Sequence, residues 1–203
     1  LHYPLRRQRQ MCIRDRSPFT EISPDDIQEK KWQPLFHYRE AIGYVEALSE
    51  QGEFPHIIWP EHCIAGSEGA AITNALMEQI MNWARPGRYY ELVMKGTNPL
   101  TEHFGILRAN IPIRSDPKTM LNMNLVNTLK KYENIFIAGE ARSHCVANTV
   151  KQMLEITEMV KKLIIIWDTM SDVPGFEKPS LPIYQRAFRQ GANRQYAAEI
   201  QLS

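Results

Sequence analysis

The sequence lacks any long apolar run. Its longest, from Leu163 to Trp167, is far shorter than the roughly 18 residues that a membrane-spanning helix needs, so we expect no membrane segment. An excess of one charge is also missing: 24 basic side chains face 23 acidic ones, which argues against a general affinity for nucleic acid. No GxGxxG sequence follows an apolar run, so a dinucleotide site is not predicted. A small-molecule partner is therefore expected.

Cysteine is scarce as well. Cys12, Cys63 and Cys145 are an odd number in a chain of 203 residues, and the sequence contains no CxxC or HxH pair. An odd number of cysteines is typical of free thiols in a reducing compartment, so we expect a cytoplasmic protein. A zinc site built from ligands close together in sequence is not indicated.

The apolar residues that are present predict an α/β fold. Four short segments have the composition of buried strands: 54–59, 89–94, 134–139 and 162–168. Apolar spacings of three and four predict helices between them, over 35–48, 72–83 and 146–160. This alternation predicts a three-layer, mostly parallel sheet with helices on both faces.

The two ends of the chain lie outside this alternation, and each has its own prediction. The tail is expected to form a helix from about Pro182 to Gly191 and an edge strand over 195–202. Residues 1–16 contain a basic run with no periodicity. Such a run is typical of a solvated, disordered arm. We favour another interpretation, because RQMCIRDR resembles a translated sequencing-adapter read and would then be foreign to the natural protein.

Four loops follow the predicted strands, and parallel sheets bind ligands at that edge. The loop 140–145 ends in Cys145 at the start of a predicted helix, where N–H groups and a partial positive charge favour a nucleophilic thiolate. Lys95 begins the loop 95–99, and a cation beside a thiol stabilises the thiolate. A buried structural thiol and a solvent-facing lysine are the alternatives. The remaining loops are 60–63 and 168–175.

Two histidines adjoin these candidates. His62 follows the segment 54–59 and can ligate a metal through neutral imidazole, although a lone histidine is more often structural or exposed. His144 precedes Cys145, but neighbouring residues on a helix point about 100° apart, so we do not expect it to reach the thiol.

Three motifs together resemble one family. They are WPEHCIAGSEGA (59–70), VMKGTNPLTEHF (93–104) and IAGEARSHCVANTV (137–150), in this order. They are similar to segments of the isochorismatase-like cysteine hydrolases, and most of all to the nicotinamidase-related amidases. The resemblance covers the chain from about Ser17 to its end. It implies the isochorismatase-like, Rossmann-like fold and hydrolysis of a small carboxamide, such as nicotinamide, through a thioester.

The resemblance also implies roles for single residues. Cys145 would be the nucleophile and Lys95 its charged partner, within an Asp-Lys-Cys triad. The backbone N–H groups of Ala141 and Cys145 would form the oxyanion hole, next to a cis peptide bond between Glu140 and Ala141. His62 would ligate a divalent metal such as zinc.

Two parts of the family pattern have no counterpart in the sequence. The family's aspartate follows its first strand, whereas Asp15, Asp25 and Asp26 are not preceded by apolar runs. The D-x-H segment with the other metal ligands is also missing. We therefore expect a single hydrolase domain over 17–203 that lacks its first strand.

The absence of the family's aspartate and of its D-x-H segment leaves other functions open. The alternative to an amidase is a catalytically inert fragment or a non-enzymatic, small-molecule-binding relative. Cleavage of an ester or a vinyl ether is less favoured, because relatives that cleave vinyl ethers lack the cysteine. A parallel sheet without a central strand leaves apolar faces uncovered, so we expect poor solubility or a homo-oligomer.

Overall fold

The structure is a computed structural model and describes residues 17–34, 37–60, 62, 64 and 66–200. The predicted arm 1–16, Cys63 and the end of the predicted last strand lie outside these residues. The chain divides into two compact units, one up to Met94 and one from Lys95 onward, and each is described by itself. The single domain expected over 17–203 stays a prediction.

Short strands and three helices make up the described part of the first unit: β1 (Glu21–Ile22), α1 (Pro24–Gln28), α2 (Tyr38–Glu50), β2 (His56–Ile57) and α3 (Asn74–Ala84). A 3₁₀ turn lies at Glu68–Ala70. β1 and β2 pair antiparallel, with Glu21 opposite Ile57. The helices predicted from the apolar spacing are confirmed by α2 and α3. The sequence pattern does not predict β1, because a strand of two residues is too short for any periodicity.

The predicted strand over 89–94 is wrong. This segment has no strand structure, and its apolar side chains are exposed, with Tyr89 at 89%, Leu92 at 68% and Met94 at 67% of their accessible surface. A β-prone composition describes how well side chains pack against neighbouring strands, and it does not form a strand without them. Lys95 therefore follows a mostly exposed segment without strand structure rather than the end of a buried strand.

The second unit contains a parallel sheet. Its elements are α4 (Met123–Lys130), β3 (Ile135–Ile137), α5 (Ala147–Leu154), α6 (Thr157–Val160), β4 (Leu163–Ile166), α7 (Glu177–Arg189) and β5 (Asn193–Gln195). The strand order is β3-β4-β5, with Ile135 opposite Leu163 and Ile164 opposite Asn193. The apolar runs predicted as strands over 134–139 and 162–168 are thus confirmed in their central residues. β4 is a buried run, as is typical of parallel strands, whereas in β3 Ile135 is buried and Phe136 is exposed.

Helix α5 lies at the centre of this unit's core. Its residues Val150, Met153 and Leu154 are buried together with β4 and part of α7. The single helix predicted over 146–160 is wrong in extent, because Ile156 is extended and separates α5 from α6. The predicted tail helix is confirmed as α7, although it begins at Glu177. The edge strand predicted over 195–202 is wrong in extent: the last strand in the described residues is β5, which ends at Gln195 and is followed by a 3₁₀ turn at Ala197–Glu199.

None of the helices in the described residues is long and apolar enough to cross a membrane.

Candidate active site

Cys145 lies in a π-helical turn, Arg142–Val146, that leads directly into α5. A hydrogen bond of 3.1 Å from the Val146 N–H to the Ala141 carbonyl closes this turn over five residues. Such turns are rare and are frequent at functional sites. The thiol is free and partly exposed. Because the turn leads into α5, the predicted position of Cys145 at the start of a helix is confirmed. The peptide bond Glu140–Ala141 is cis, as the sequence resemblance implies.

Lys95 is the first residue of the second unit. Its Nζ donates a hydrogen bond of 2.8 Å to the carbonyl oxygen of His103. The same Nζ lies 3.6 Å from the Sγ of Cys145. The structure thus brings together the two residues that the sequence singled out, and a backbone carbonyl holds the cation beside the sulfur.

The side chain of His103 is partly buried next to this cation. Burial, and to a smaller extent the positive charge of Lys95, lowers the pKa of His103 to about 4. The imidazole is therefore neutral at pH 7, while the backbone of the same residue binds the Lys95 ammonium. A neutral ring adds no second positive charge beside Lys95.

The loop 168–175 contacts the loop that carries Cys145, as parallel topology predicts. Glu140 accepts a hydrogen bond of 2.8 Å from Ser171 Oγ, and the Arg142 N–H donates to the Ser171 carbonyl. The Arg142 guanidinium pairs with the Asp172 carboxylate, which raises the pKa of Arg142 above its usual range. Tyr184 of α7 donates to the Arg142 carbonyl at 2.7 Å. Three partners therefore fix the residue at the start of the π turn.

His144 is buried between two aromatic rings. The centroids of Phe104 and Phe176 lie 6.0 Å and 5.1 Å from its ring. Its Nδ1 is 2.9 Å from Ser143 Oγ. Burial lowers the pKa of His144, and the charge of Asp172 opposes this shift. His144 is therefore held as a neutral packing residue at pH 7.

His62 belongs to the first unit, where it is exposed. Its Nδ1 lies 2.7 Å from the Pro60 carbonyl, and its ring meets the edge of Trp59. A protein metal site usually has three or four ligands. In the part of the chain that the structure describes, no group of three His, Cys, Asp or Glu side chains could hold an ion. These residues do not fit the predicted zinc, and no chemical step below uses a metal.

The sequence analysis does not predict a set of buried polar residues on α5. Asn148, Thr149 and Gln152 are buried, and they bind backbone and side-chain groups in the chain segment that follows Lys95. Asn148 and Thr149 lie four and three residues before Gln152, and this spacing is the sequence signal that places each of them on the same face of the helix as Gln152. The groups that they bind have no sequence signature, because most of them are backbone N–H and carbonyl groups.

Comparisons with known proteins find similarity in structure only. No protein-family profile and no curated protein matches the chain. The yeast nicotinamidase Pnc1p bound to the inhibitor nicotinaldehyde aligns with a TM-score of 0.52 and 17% identity, over 70% of this chain and 60% of that one. Pnc1p alone gives a TM-score of 0.50 and 18% identity, over 71% and 62%. An Acinetobacter baumanii nicotinamidase/pyrazinamidase gives 0.51 and 16%, over 92% and 69%.

The chain has the fold of these nicotinamidases. The predicted α/β fold class, with its parallel sheet, is thereby confirmed. An identity of 16–18% shows a shared fold and not a shared activity. The chain spans 60% and 62% of the length of the two yeast structures.

Proposed function

We propose that this chain belongs to a cysteine hydrolase that cleaves a small carboxamide, with nicotinamide as the first substrate to test. The observation that supports this proposal is the 3.6 Å approach of Lys95 Nζ to Cys145 Sγ at the head of a helix. A nearby cation and directed N–H groups favour the nucleophilic thiolate over the thiol at neutral pH. The nicotinamidase fold supports the same reaction class.

In the proposed reaction the Cys145 sulfur attacks the amide carbonyl carbon and a C–S bond forms. The carbonyl oxygen becomes an oxyanion, which the Lys95 ammonium and backbone N–H groups of Ala141 and Cys145 stabilise. The C–N bond then breaks, the nitrogen takes up the proton that the Cys145 thiol has released to solvent water, and ammonia departs to leave a thioester. Water adds to the thioester, the C–S bond breaks, and the carboxylic acid and the free thiol are released.

A catalytically inert, ligand-binding protein is the second candidate. The observation that favours it is in the sequence, where none of Asp15, Asp25 and Asp26 follows an apolar run and so takes the place of the family's first-strand aspartate, which would accept the thiol proton. In the described site the Asp172 carboxylate pairs with Arg142 and the Glu140 carboxylate bonds to Ser171. If the protein is inert, the site binds the carbonyl group of a ligand but does not hydrolyse the ligand.

Ammonia release from nicotinamide tests the proposal. We expect Cys145→Ala to reduce the rate at least about 1000-fold, because the nucleophile is lost. Lys95→Met should also reduce kcat, while Lys131→Met, which removes an exposed cation elsewhere in the same unit, should not. Ammonia release that persists in Cys145→Ala would contradict the assignment of the nucleophile.

An aldehyde probe separates the two candidates. The thiolate can add to the carbonyl carbon of nicotinaldehyde, whose oxygen then takes a proton and gives a thiohemiacetal. We expect this compound to protect Cys145 from alkylation, as followed by peptide mass spectrometry. Protection without any ammonia release from amides would favour the inert, ligand-binding protein.

A further inference from the structure

We propose that the polar face of α5, formed by Asn148, Thr149 and Gln152, is a positioning device for Lys95. These side chains hold the segment 103–108, whose first carbonyl accepts the hydrogen bond from the Lys95 ammonium. The inference rests on the proposed function only in taking Lys95 and Cys145 as the reacting pair. It adds three residues that act through the lysine and touch no reacting atom.

Thr149 joins the helix to this segment through one hydroxyl group. Its Oγ1 donates to the carbonyl of Cys145 at 2.8 Å and accepts from the Ile106 N–H at 3.1 Å. The side chain is 7% exposed, so water does not readily replace either bond. Ile106 therefore has a fixed position relative to the backbone of the cysteine.

Gln152 binds the segment one helical turn further on. Its Oε1 accepts from the Leu107 N–H at 3.0 Å, and its Nε2 donates to the Arg108 carbonyl at 2.8 Å. The amide lies so close to Gly105 that a Cβ atom there would overlap it. Glycine at this position thus permits the close approach of the segment to the helix.

Asn148 reaches the beginning of the segment through Asn110. The Asn110 Nδ2 donates to Asn148 Oδ1 at 3.1 Å, and Asn110 Oδ1 accepts from the Phe104 N–H at 3.0 Å. Phe104 adjoins His103, whose carbonyl binds Lys95. Asn148 Nδ2 also donates to the His144 carbonyl at 3.0 Å, within the π turn.

These contacts connect the thiol and the cation by a short path. The helix that follows Cys145 supplies all three side chains, and each binds a group within a few residues of His103. A shift of the segment relative to α5 would move the acceptor of the lysine and so the distance between Nζ and Sγ. Since the attraction between a thiolate and an ammonium falls with distance, this geometry controls how well the thiolate is stabilised.

The pH dependence of Cys145 alkylation by iodoacetamide, measured on the full chain by peptide mass spectrometry, tests this proposal. Thr149→Val keeps the shape of the side chain and removes the hydroxyl. We expect alkylation at pH 7 to be roughly 3- to 10-fold slower in this variant than in the unmodified chain, and slower still in Lys95→Met. Hydrogen exchange at the Ile106 amide should accelerate in Thr149→Val.

Two controls distinguish positioning from a general loss of stability. Thr149→Ser keeps the hydroxyl and should restore the alkylation profile. Thr119→Val removes another buried hydroxyl of this unit, one that binds the backbone of Ile113 and Asp116, and should leave the profile unchanged. If Thr149→Val does not fold, Gln152→Met takes its place, with exchange followed at Leu107.

The outcomes decide the proposal in either direction. If Thr149→Val accelerates hydrogen exchange at the Ile106 amide but leaves the alkylation profile unchanged, the proposal is wrong. Unchanged exchange at Ile106 in this variant would also overturn it. Alkylation needs no amide substrate, so a shifted profile supports the positioning role even if no amide is cleaved. If an amide is cleaved, Thr149→Val should lower kcat and leave KM nearly unchanged, because Thr149 does not contact substrate in this arrangement.

Discussion

The surroundings of the His103 imidazole disfavour its charged form. Its folded-state pKa of about 4 lies below the usual value of 6.5. The neutral ring therefore contributes stability that is fully present above pH 6.5 and is lost as the pH falls toward 4. We expect the free energy of unfolding in urea to decrease less over this range in His103→Gln than in the unmodified chain.

A histidine outside this environment provides the control. His62→Gln changes an exposed side chain of the first unit, and its stability should follow the pH dependence of the unmodified chain. All other ionisable groups are common to His103→Gln and the unmodified chain, so only the difference between the two curves reports on His103. Parallel curves for His103→Gln and the unmodified chain would contradict the prediction.

At the scale of single residues, the sequence predicts side chains better than it predicts their partners. Lys95 and Cys145 are found because their residue types and positions indicate reactivity. The carbonyl of His103 is not, because every residue has a carbonyl and its direction depends on the path of the loop. The same reason hides the backbone groups that Thr149 and Gln152 bind.

Among the elements, pairing with neighbouring strands separates the predicted strands that form from the one that does not. β3 and β4 have continuous apolar runs and pair in parallel with each other, so the pattern and the structure agree. The segment 89–94 has a similar composition but is exposed. The pattern predicts where a strand can form, whereas its hydrogen-bonding neighbours come from distant parts of the chain and have no local signal.

Close contact between α5 and the segment 103–108 leads to a prediction at the scale of elements. Gly105→Ala places a methyl group where the Gln152 amide lies, and the amide can move only by losing its bonds to Leu107 and Arg108. We expect unfolding free energy to fall by about 1–3 kcal/mol. Chemical denaturation of the single and double variants measures this effect.

A double-mutant cycle identifies the cause. In a Gln152→Ala background, the same Gly105→Ala change should have little effect, because the overlapping amide is gone. Gly43→Ala is the matched control within α2, where a new methyl group meets no atom within 4 Å, and it should be neutral or stabilising. Equal losses from Gly105→Ala in both backgrounds would show that the overlap is not responsible.

For the whole molecule, the exposed apolar side chains between residues 76 and 94 are the main liability. Helix α3 buries none of its own side chains within the described chain, and the segment 89–94 is open as well. Apolar surface of this kind promotes association. The residues concerned are Leu76, Met81, Trp83, Tyr89, Tyr90, Leu92 and Met94.

We therefore expect the chain to self-associate as its concentration rises. In sedimentation velocity, the double variant Trp83→Lys/Leu92→Lys should remain a monomer at concentrations where the unmodified chain does not. Tyr132→Lys removes a single exposed aromatic residue in the second unit and should not prevent association. A monomeric unmodified chain at every concentration would refute this expectation.

The hydrogen bonds of Lys95 also limit what can replace it. A lysine ammonium has three hydrogens, and in the described structure His103 O and Cys145 Sγ take two of them. The third N–H can then donate a hydrogen bond to an incoming carbonyl oxygen. An arginine at this position has a planar donor group. Its N–H bonds all lie in one plane, whereas the three N–H bonds of an ammonium point in three dimensions.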